Sequence, residues 1–592
     1  MIYFCIIIPH IRILTNTDSI FIKVFKKHIM RRFYFVIPIL LSFTGVSVSV
    51  NSQDKTTISV SLGQELGKMN PVWAWFGYDE PNYTYMKDGR KLLSELSELS
   101  PVPVYIRAHN LLTSGDGIPA LKWGSSNAYN EDVHGNPVYD WTIIDKIFDT
   151  YVERGMKPLV QMGFMPEVLS SNPVPYRHFW KPGDPYDDIY TGWRYPPKDY
   201  KKWAELIHQW VKHSVGRYGK QEVETWYWEL WNEPDAKYWG GTVEEYCKLY
   251  DYSADAVKRA LPAAHVGGPH ITGPANANAA KFLTEFLRHC ESGTNYATGD
   301  TGTPLDFIAF HAKGSPRFIN NMVRMNMGIQ LRQIDRGFEI VASSIKYKDL
   351  PIIIGECDPE GCAACGMTQY PQNGYRNGTM YSSYTASSFA KIYDLALYHK
   401  VNLLGIVSWS FEFEDQPWFH GFRDLATNGV DKPVLNVFRM FGMMGSTRVE
   451  AISDAGFTWK IVIDSGVRGN KPDIGAIASK SDNNAAVMFW NYHDDDKPAP
   501  DSPVEIAMEG IPDNKVKVTQ YCIDAKYSNS YEAWKKMGSP QNPTPFQYTE
   551  LEKAGMLQAK DPPRNARVRN GKLLFNTMLP RQGVALLKIE WN

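Results

Sequence analysis

Eight apolar runs of strand length alternate with amphipathic stretches along most of the chain, and this alternation constrains the fold more than any other feature. The runs are PVWAWFG (71–77), VPVYIRAHN (102–110), KPLVQMGFM (157–165), TWYWELWNE (225–233), AHVGGPH (264–270), LDFIAFHA (305–312), LPIIIGE (350–356) and LLGIVSWSF (403–411). Between them, apolar residues recur at spacings of three and four in segments such as 139–155, 199–219 and 242–261, which predicts helices. Nearly continuous apolar strands that alternate with helices indicate an α/β fold with a covered parallel sheet, and eight such units close into a (β/α)8 TIM barrel.

Two further observations on the sequence determine the predicted domain organisation. An open doubly wound sheet is the competing architecture for the barrel region, but no glycine-rich phosphate loop follows the first run. From about residue 437, short runs with period-two alternation and Pro/Gly punctuation predict a C-terminal antiparallel β-sandwich domain, with WKIVIDS (459–465) as one of its strands. We therefore predict a strand within 53–70 that joins the sandwich, a catalytic barrel over 71–436 and the sandwich over 437–592.

The N-terminus has the pattern of an export signal. From Met30, two arginines precede an apolar stretch, and small residues follow before a polar segment. The stretch is short for a transmembrane helix. We assign residues 1–52 to a signal-peptide region, with Met30 as the hypothesised start. The mature protein is then expected to be periplasmic or secreted, without stable membrane insertion.

Composition and cysteine usage narrow the function classes. A formal net charge of −1 supplies no basic field for nucleic acid, and the 18 Trp and 33 Tyr suit sugar binding, although core packing explains most of them. Among seven cysteines, Cys357, Cys362 and Cys365 stand close together but lack a fourth zinc ligand nearby. A small disulfide in an oxidising compartment is the better interpretation, either Cys362 with Cys365 or one of them with Cys357.

Polar residues at the ends of the apolar runs are the candidates for chemistry, because reactive groups of (β/α)8 barrels project from the C-terminal ends of the strands. These residues are Arg107, His109, Asn232, Glu233, His270, His311, Glu356 and, in the eighth run, Trp409. Glu233 ends the fourth run and Glu356 the seventh, so the two carboxyl groups are expected to face each other across the barrel mouth.

Strand spacing separates Glu233 from its neighbour Glu229. Both glutamates and Trp231 would share one side of a strand, with Glu229 roughly 13 Å deeper at about 3.3 Å per residue. A charge at that depth needs a partner, so Glu229 is interpreted as a buried support and Glu233 as the residue at the rim. Salt-bridged structural roles for both Glu233 and Glu356 are the competing interpretation.

Two carboxyl groups on opposite walls of a cleft suit glycoside hydrolysis. One, protonated, gives its proton to the departing oxygen, while the other, ionised, attacks the anomeric carbon. A tryptophan-rich surround and the negative partner would both raise the pKa of the acid, and the tryptophans around Glu233 are assigned that role.

Several motifs together resemble glycoside hydrolase family 39, the family of β-xylosidases and α-L-iduronidases within a clan of retaining (β/α)8 enzymes. They are WELWNEPDAKYW (228–239), GGP (267–269), IIIGE (352–356), RAHNLLTSGDG (107–117), GFMPE (163–167), FWNYHDDD (489–496) and SNSYEAWKKMGSPQNPTP (528–545). The resemblance implies that Glu233 is the acid/base and Glu356 the nucleophile. It also implies sugar contacts for the remaining matched positions: Asn232 at the 2-hydroxyl, Arg107 and His109 at the innermost subsite, His311 near the nucleophile, and Trp409 as the platform under the sugar.

Two positions depart from the family pattern. His270 stands where relatives carry a small residue after GGP, which puts the shape of the sugar pocket in question. A long cysteine-bearing loop follows Glu356 where xylosidases often have a short Ser/Tyr-rich segment, and it could alter specificity. Asp358 and Glu360 in that segment are rival nucleophiles by sequence, disfavoured because they lie in a Pro/Gly-rich loop instead of at a strand end.

The predicted function is an exported retaining exo-glycosidase that releases single sugars from non-reducing ends of plant-type oligosaccharides, with β-D-xylose preferred. β-Galactosidase, α-L-arabinosidase and iduronidase activities are alternatives, and a catalytically silent carbohydrate-binding protein is an alternative of another class. Iduronidase ranks low because a uronic acid needs cationic partners and the sequence shows no loop cluster of Lys or Arg. The mechanism requires no metal and no organic cofactor.

Overall fold

The computed structural model describes residues 55–99, 101–409 and 411–591, and the signal-peptide assignment lies outside them. In this part of the chain no helix combines the length and the apolar character needed to cross a bilayer. The first element is strand β1, Thr56–Lys68, which belongs to the C-terminal sheet.

The predicted (β/α)8 barrel is confirmed. Eight parallel strands form a closed ring in chain order, in which the last strand pairs with the first through Val407 and Trp75. They are β2 Trp75–Tyr78, β3 Tyr105–Ala108, β4 Lys157–Met162, β5 Tyr227–Leu230, β6 His265–Ile271, β7 Phe307–Lys313, β8 Pro351–Asp358 and β9 Asn402–Trp409. Each overlaps one of the predicted apolar runs, because strands covered on both sides carry few polar residues.

Helices cover the outside of the barrel and continue into the C-terminal region. They are α1 Lys87–Ser97, α2 Thr142–Val152, α3 Tyr200–Tyr218, α4 Lys220–Val223, α5 Val243–Ala260, α6 Ala277–Ser292, α7 Met327–Ala342, α8 Thr379–His399, α9 Leu435–Gly442, α10 Trp459–Ser465, α11 Ser530–Lys536 and α12 Pro545–Gly555. Local sequence fixes their ends: Thr242 and Glu245 form a reciprocal capping box at the start of α5.

The C-terminal domain is a ten-stranded sheet around its own apolar core. Its other strands are β10 Thr447–Ser453, β11 Asp473–Ser481, β12 Asn484–Tyr492, β13 Ser502–Glu509, β14 Lys515–Ile523, β15 Gln558–Ala559, β16 Arg564–Arg567, β17 Lys572–Leu579 and β18 Val584–Glu590. The strand order is β15-β14-β18-β12-β11-β10-β1-β13-β17, with β16 paired to β14. The pairs are antiparallel except that β1 runs parallel to β13. Three two-stranded hairpins lie outside these sheets: Tyr129–Glu131 with Pro137–Tyr139, Arg317–Ile319 with Met322–Arg324, and Ala426–Thr427 with Val430–Asp431.

Helix α8 joins the barrel to the C-terminal sheet. Nearly every residue from Met380 to Ala396 is buried, because one side of the helix packs on the barrel and another on the sheet. At this junction Lys391 Nζ lies 2.6 Å from Asp473 Oδ2, at the first residue of β11. The ion pair is buried, so it fixes the relative position of the two layers.

The predicted strand WKIVIDS is wrong, since these residues form helix α10. The Thr458 hydroxyl caps the helix by accepting from the Ile461 backbone N–H, and Gly466 ends it with a positive φ of 68°. A Cβ on Gly328 of α7 would lie 2.3 Å from the Val462 carbonyl oxygen, so a glycine permits the close packing of the two helices. The period-two pattern failed because the buried side contains Trp459, Val462 and Ile463, a helical spacing.

Candidate active site

The C-terminal ends of the barrel strands open into a pocket of about 400 Å³. Four of the predicted site residues line it: Asn232, Glu233, Glu356 and Trp409. The other four, Arg107, His109, His270 and His311, lie beneath it and are at most 1% exposed. The eight predicted positions therefore meet at one end of the barrel, in an outer and an inner layer.

Glu229 belongs to the inner layer. Its carboxylate is fully buried, Arg107 Nε donates to Oε1 at 2.5 Å, and His270 Nε2 contacts Oε2. Burial opposes ionisation, but Arg107 and His270 together hold the pKa of Glu229 below its usual value. The structure thus gives Glu229 the buried partners that strand spacing had predicted for it.

His270 connects the inner layer to the two catalytic candidates instead of shaping the pocket wall. Its Nδ1 lies 3.3 Å from His311 Nε2, and its carbonyl oxygen accepts from the Glu233 backbone N–H at 2.8 Å. A Cβ on Gly355 would lie 2.1 Å from His270 Nδ1, so the glycine before Glu356 makes room for this histidine. The departure from the family pattern is therefore accommodated below the pocket.

Arg107 contacts four polar side chains at once. Besides Glu229, its Nη2 donates to Asn232 Oδ1 at 3.1 Å and its Nη1 lies 3.4 Å from Glu356 Oε1. The same Nη1 donates to His109 Nε2 at 2.9 Å, and the guanidinium lies 5.0 Å from the centre of the Trp409 ring. Asn232, the nucleophile candidate and the aromatic platform are thereby positioned from below by one buried cation.

Lys313 lies between the two catalytic candidates, although it is not among the positions predicted from the sequence. Its Nζ is 2.7 Å from Glu233 Oε1 and 2.7 Å from Glu356 Oε2, while His311 Nδ1 lies 3.0 Å from Glu233 Oε1. Lys313 is the last residue of β7, two positions after His311 and on the same side of the strand. This alternation could have identified Lys313 as a site residue, but the predicted run 305–312 stopped one residue before it.

The expected rise in the pKa of Glu233 is wrong in this structure. Burial raises the pKa of this carboxyl, and Glu356 adds a smaller rise. Lys313 and His311 together outweigh both effects and lower the pKa to about 2. Burial likewise opposes ionisation of Glu356, and Lys313 holds the pKa of that carboxyl well below its usual range. Both carboxylates are ionised as long as Lys313 contacts both.

The tryptophans of the 226–235 segment do not surround Glu233. Strand β5 ends at Leu230, and Trp231 (φ 65°) and Glu233 (φ 45°) adopt left-handed backbone conformations, so strand alternation does not extend to Glu233. The Trp231 ring packs on Phe164 and its Nε1 donates to the Tyr238 carbonyl oxygen. The aromatic wall of the pocket consists instead of tyrosines from the loops after β4, β5 and β8, namely Tyr186, Tyr190, Tyr238 and Tyr370.

The rival nucleophiles are engaged elsewhere, although the loop position predicted for Asp358 is wrong, since it lies at the strand end. Asp358, the last residue of β8, accepts from the Trp409 backbone N–H at 3.1 Å and pairs with Arg423 at 3.5 Å; burial raises its pKa to about 6. Glu360 lines the pocket but is held by the buried Arg376. Glu356 alone among the three carboxylates contacts both Lys313 and Arg107.

The loop after β8 is closed by a disulfide. Cys362 and Cys365 are bonded, which is the first of the predicted pairings, while Cys357 is a buried free thiol whose Sγ accepts from Gln330 Nε2 at 3.5 Å. Arg376 donates to the carbonyl oxygens of Ala363, Cys365, Gly421 and Cys362. A buried guanidinium and a covalent bond thus fix this pocket wall.

Three cationic side chains line the pocket, whereas the sequence showed no cluster of Lys or Arg. Lys122, Lys313 and Arg423 come from the loops or strand ends after β3, β7 and β9 and are distant along the chain. Within the described residues, one group of three side chains, Glu233, His311 and Glu356, has its donor atoms within 4.8 Å of one another as a metal site would. The Lys313 ammonium already lies against both carboxylates of that group.

A pocket at the C-terminal end of a closed barrel, with one carboxylate after β5, a second on β8, and Asn232 and Trp409 in its lining, is the arrangement expected of a glycoside hydrolase. The family model "Glycosyl hydrolases family 39" matches residues 56–571, and the chain belongs to this family. The family expectation from the sequence motifs is thereby confirmed.

Three relatives give the extent of the similarity. A β-xylosidase of Caldicellulosiruptor saccharolyticus is 28% identical over 89% of this chain and 97% of its own length. An α-L-iduronidase of Mus musculus is 25% identical over 76% of this chain and 68% of its own length. The crystal structure of a monomeric β-xylosidase from Caulobacter crescentus CB15 superposes with a TM-score of 0.70 at 21% identity, covering 90% of this chain and 99% of that one.

Proposed function

We propose that this protein is a retaining exo-glycosidase that releases a terminal β-D-xylose from oligosaccharides. The observation that carries the proposal is the spacing of the two carboxylates: oxygens of Glu233 and Glu356 lie within 4.8 Å of each other. Retaining glycosidases place their carboxyl groups about 5–5.5 Å apart, whereas inverting enzymes leave about 6.5–9.5 Å for a water molecule. The approach of one oxygen of each carboxylate to within 4.8 Å is shorter than the space that inverting enzymes leave for water, which supports direct attack by one carboxylate.

The contacts suggest which role each carboxylate has in the two steps of the reaction. Glu356, held ionised by Arg107 and Lys313, attacks the anomeric carbon as Glu233 gives its proton to the leaving oxygen, and a covalent glycosyl-enzyme forms. Glu233 then takes a proton from water, which attacks the same carbon and releases the sugar and Glu356. Asn232, fixed by Arg107, is placed to bind the 2-hydroxyl beside the nucleophile.

The first step requires a proton on Glu233, so Lys313 must withdraw from Glu233 when substrate binds. Lys313 retains Glu356 as a partner after such a movement, since its Nζ is equally close to both carboxylates. Loss of the adjacent cation and exclusion of water by the sugar would then both raise the pKa of Glu233.

Exo action is supported by the shape of the pocket. Its lining residues come from the loops or ends of seven of the eight barrel strands, all except β6. A site walled on so many sides fits one terminal sugar better than an open groove that would bind the middle of a polymer. Xylose as that sugar rests on the β-xylosidase relative, whose similarity spans nearly its full length.

A uronic acid is a second candidate for the terminal sugar, and a specific observation favours it. Lys122, Lys313 and Arg423 line the pocket, which removes the reason for ranking an iduronidase low. A sugar carboxylate near Lys313 would offer this ammonium a new partner and so release Glu233 for protonation. The similarity to the mouse α-L-iduronidase is in keeping with this candidate.

A panel of aryl glycosides separates the candidates. The wild-type protein is assayed on 4-nitrophenyl β-D-xyloside, β-D-galactoside and α-L-arabinoside, and on the 4-methylumbelliferyl α-L-iduronide and β-D-glucuronide. The proposal expects the highest kcat/KM on the xyloside. A preference for either uronide assigns the second function, and no turnover of any glycoside between pH 4 and 8 would instead favour a catalytically silent carbohydrate-binding protein.

We also propose that the protein is exported to the periplasm or the medium. The support is the signal-like segment after Met30 and the Cys362–Cys365 disulfide, a bond typical of oxidising compartments. Cell fractionation with N-terminal sequencing of the mature protein tests this proposal. A cytoplasmic protein that begins upstream of Met30 would contradict it.

A further inference from the structure

We infer that Asp79 and Lys122 bind the ring hydroxyls of the terminal sugar that lie farthest from the scissile bond, O3 and O4, and thereby determine which sugars are accepted. The inference rests on the proposed function, because it assigns residues to the far end of the same sugar site. Neither residue is among the positions predicted from the sequence.

Both side chains line the pocket although they are almost completely buried. Asp79 follows β2 and is 6% exposed, and Lys122 lies in the loop after β3 and is 8% exposed. The Lys122 ammonium contacts Asp79 Oδ2, while Asp79 Oδ1 lies 3.1 Å from His109 Nδ1. The pair therefore forms a charged end wall that is linked through His109 to the catalytic layer.

The backbone around the pair is fixed by further buried groups. The Lys122 backbone N–H donates to Glu80 Oε1 at 2.7 Å, and Lys122 adopts a left-handed φ of 57°. The Asn110 amide donates to the Asp79 carbonyl oxygen at 2.8 Å. A left-handed lysine held by a buried glutamate is an arrangement that surrounding structure must impose, and such local strain is commonly found at functional sites.

Barrel order determines which end of a sugar would meet this pair. The ends of β2 and β3 are adjacent, β4 separates them from β5 with Glu233, and β9 with Trp409 pairs with β2 on the other side. A sugar whose anomeric carbon faces Glu356 and whose glycosidic oxygen faces Glu233 therefore extends its opposite edge toward Asp79 and Lys122. A Cβ on Gly77 would lie 2.4 Å from the Trp409 ring, so this glycine makes room for the platform beneath that edge.

An adjacent carboxylate and ammonium suit a pair of neighbouring hydroxyls. The carboxylate of Asp79 accepts from hydroxyl hydrogens, and the Lys122 ammonium donates to a hydroxyl oxygen. The Lys122 ammonium has three N–H groups, and its contact with Asp79 uses one of them. Sugar hydroxyls would supply the missing hydrogen-bond partners.

The test pairs two variants with substrates that lack single hydroxyls. Wild type, Asp79→Asn and Lys122→Met are assayed on the aryl glycoside that wild type hydrolyses fastest and on its 3-deoxy and 4-deoxy forms. Glu222→Gln is the matched control, because Glu222 pairs with Lys157 at the start of β4, at the opposite end of the barrel. Thermal unfolding and near-UV circular dichroism check that each variant is folded.

The inference expects wild type to lose roughly 10- to 150-fold in kcat/KM on removal of one contacted hydroxyl. Asp79→Asn and Lys122→Met should lose a similar factor on the parent glycoside and then discriminate less than threefold against the deoxy form, whereas Glu222→Gln should behave as wild type. Variants that discriminate as strongly as wild type would overturn the inference alone. A wild-type protein inactive on all glycosides would overturn the proposed function, and the inference with it.

Discussion

Two carboxylate clusters of similar composition lie one above the other in this barrel. In the inner cluster, Glu229 is held between Arg107 and His270 without access to the pocket. In the outer cluster, Glu233 and Glu356 share Lys313 at the pocket floor. The inner cluster is fully buried with its partners, while the outer cluster lines the pocket, where we propose that substrate draws Lys313 away from Glu233. The comparison shows that depth, more than residue type, separates support from chemistry.

The largest expected effect follows from removing the nucleophile of the outer cluster. Glu356→Ala should lower kcat by roughly 10⁵-fold, since no other carboxylate is placed to attack the anomeric carbon. Azide fits the vacated space and should restore partial turnover of an activated aryl glycoside, with a glycosyl azide of inverted anomeric configuration as the product. Mass spectrometry and NMR identify it, and failure to form any azide adduct would contradict the assignment of Glu356.

A smaller effect that depends on the substrate is expected for Glu233. Glu233→Ala should lower kcat/KM by roughly 10²- to 10⁴-fold on glycosides with poor leaving groups, because these need a proton in the transition state. Aryl glycosides with good leaving groups should be affected far less. Steady-state kinetics across a series of leaving groups measures the difference; equal losses throughout the series would rule out the acid role.

Breaking the inner cluster should change stability. Glu229→Ala removes the closest carboxylate from the fully buried Arg107, leaving Glu356 at 3.4 Å, and removes the carboxylate that His270 contacts, so we expect a loss of roughly 3–5 kcal/mol in the free energy of unfolding. Denaturant unfolding measures it, with Glu233→Ala as the matched variant, because Lys313 keeps Glu356 as a partner there. Similar stability losses in both variants would show that the two clusters do not differ as described.

The smallest effect is a shift of the pH profile when Lys313 is replaced. The reactive protonation state has Glu356 ionised and Glu233 protonated, whereas Lys313 lowers the pKa of both carboxyls and so favours ionisation of both in the free enzyme. Lys313→Met should therefore move the acidic and the basic limb of kcat/KM to higher pH, by roughly 1–3 units for a cation this close. Lys157→Met, which removes a lysine from the other end of the barrel, is the control, and an unchanged profile in Lys313→Met would contradict the proposed coupling.

The fold could be predicted because buried parallel strands leave a signal in every segment of the chain. Eight apolar runs indicated the barrel, and the polar residues at their ends included Glu233 and Glu356. Spacing along a single strand also assigned Glu229 to the interior. These inferences need only local periodicity.

The parts of the site that depend on contacts between distant segments could not be predicted in the same way. Lys122 reaches the pocket from a loop, and its partner Asp79 follows a different strand. The prediction that tryptophans surround Glu233 was wrong because positive φ angles at Trp231 and Glu233 end the strand alternation, a change that the sequence does not reveal. The pKa of Glu233 depends on Lys313, which comes from another strand, so its direction required the three-dimensional arrangement.

The stereochemistry of the first product tests the central claim most directly. Proton NMR during hydrolysis of 4-nitrophenyl β-D-xyloside, recorded faster than mutarotation, resolves the anomeric signal of the released sugar. Retention, seen as β-D-xylose appearing first, is the result expected from carboxylate oxygens within 4.8 Å of each other. Initial appearance of α-D-xylose would mean a single displacement by water and would contradict the assignment of Glu356 as nucleophile.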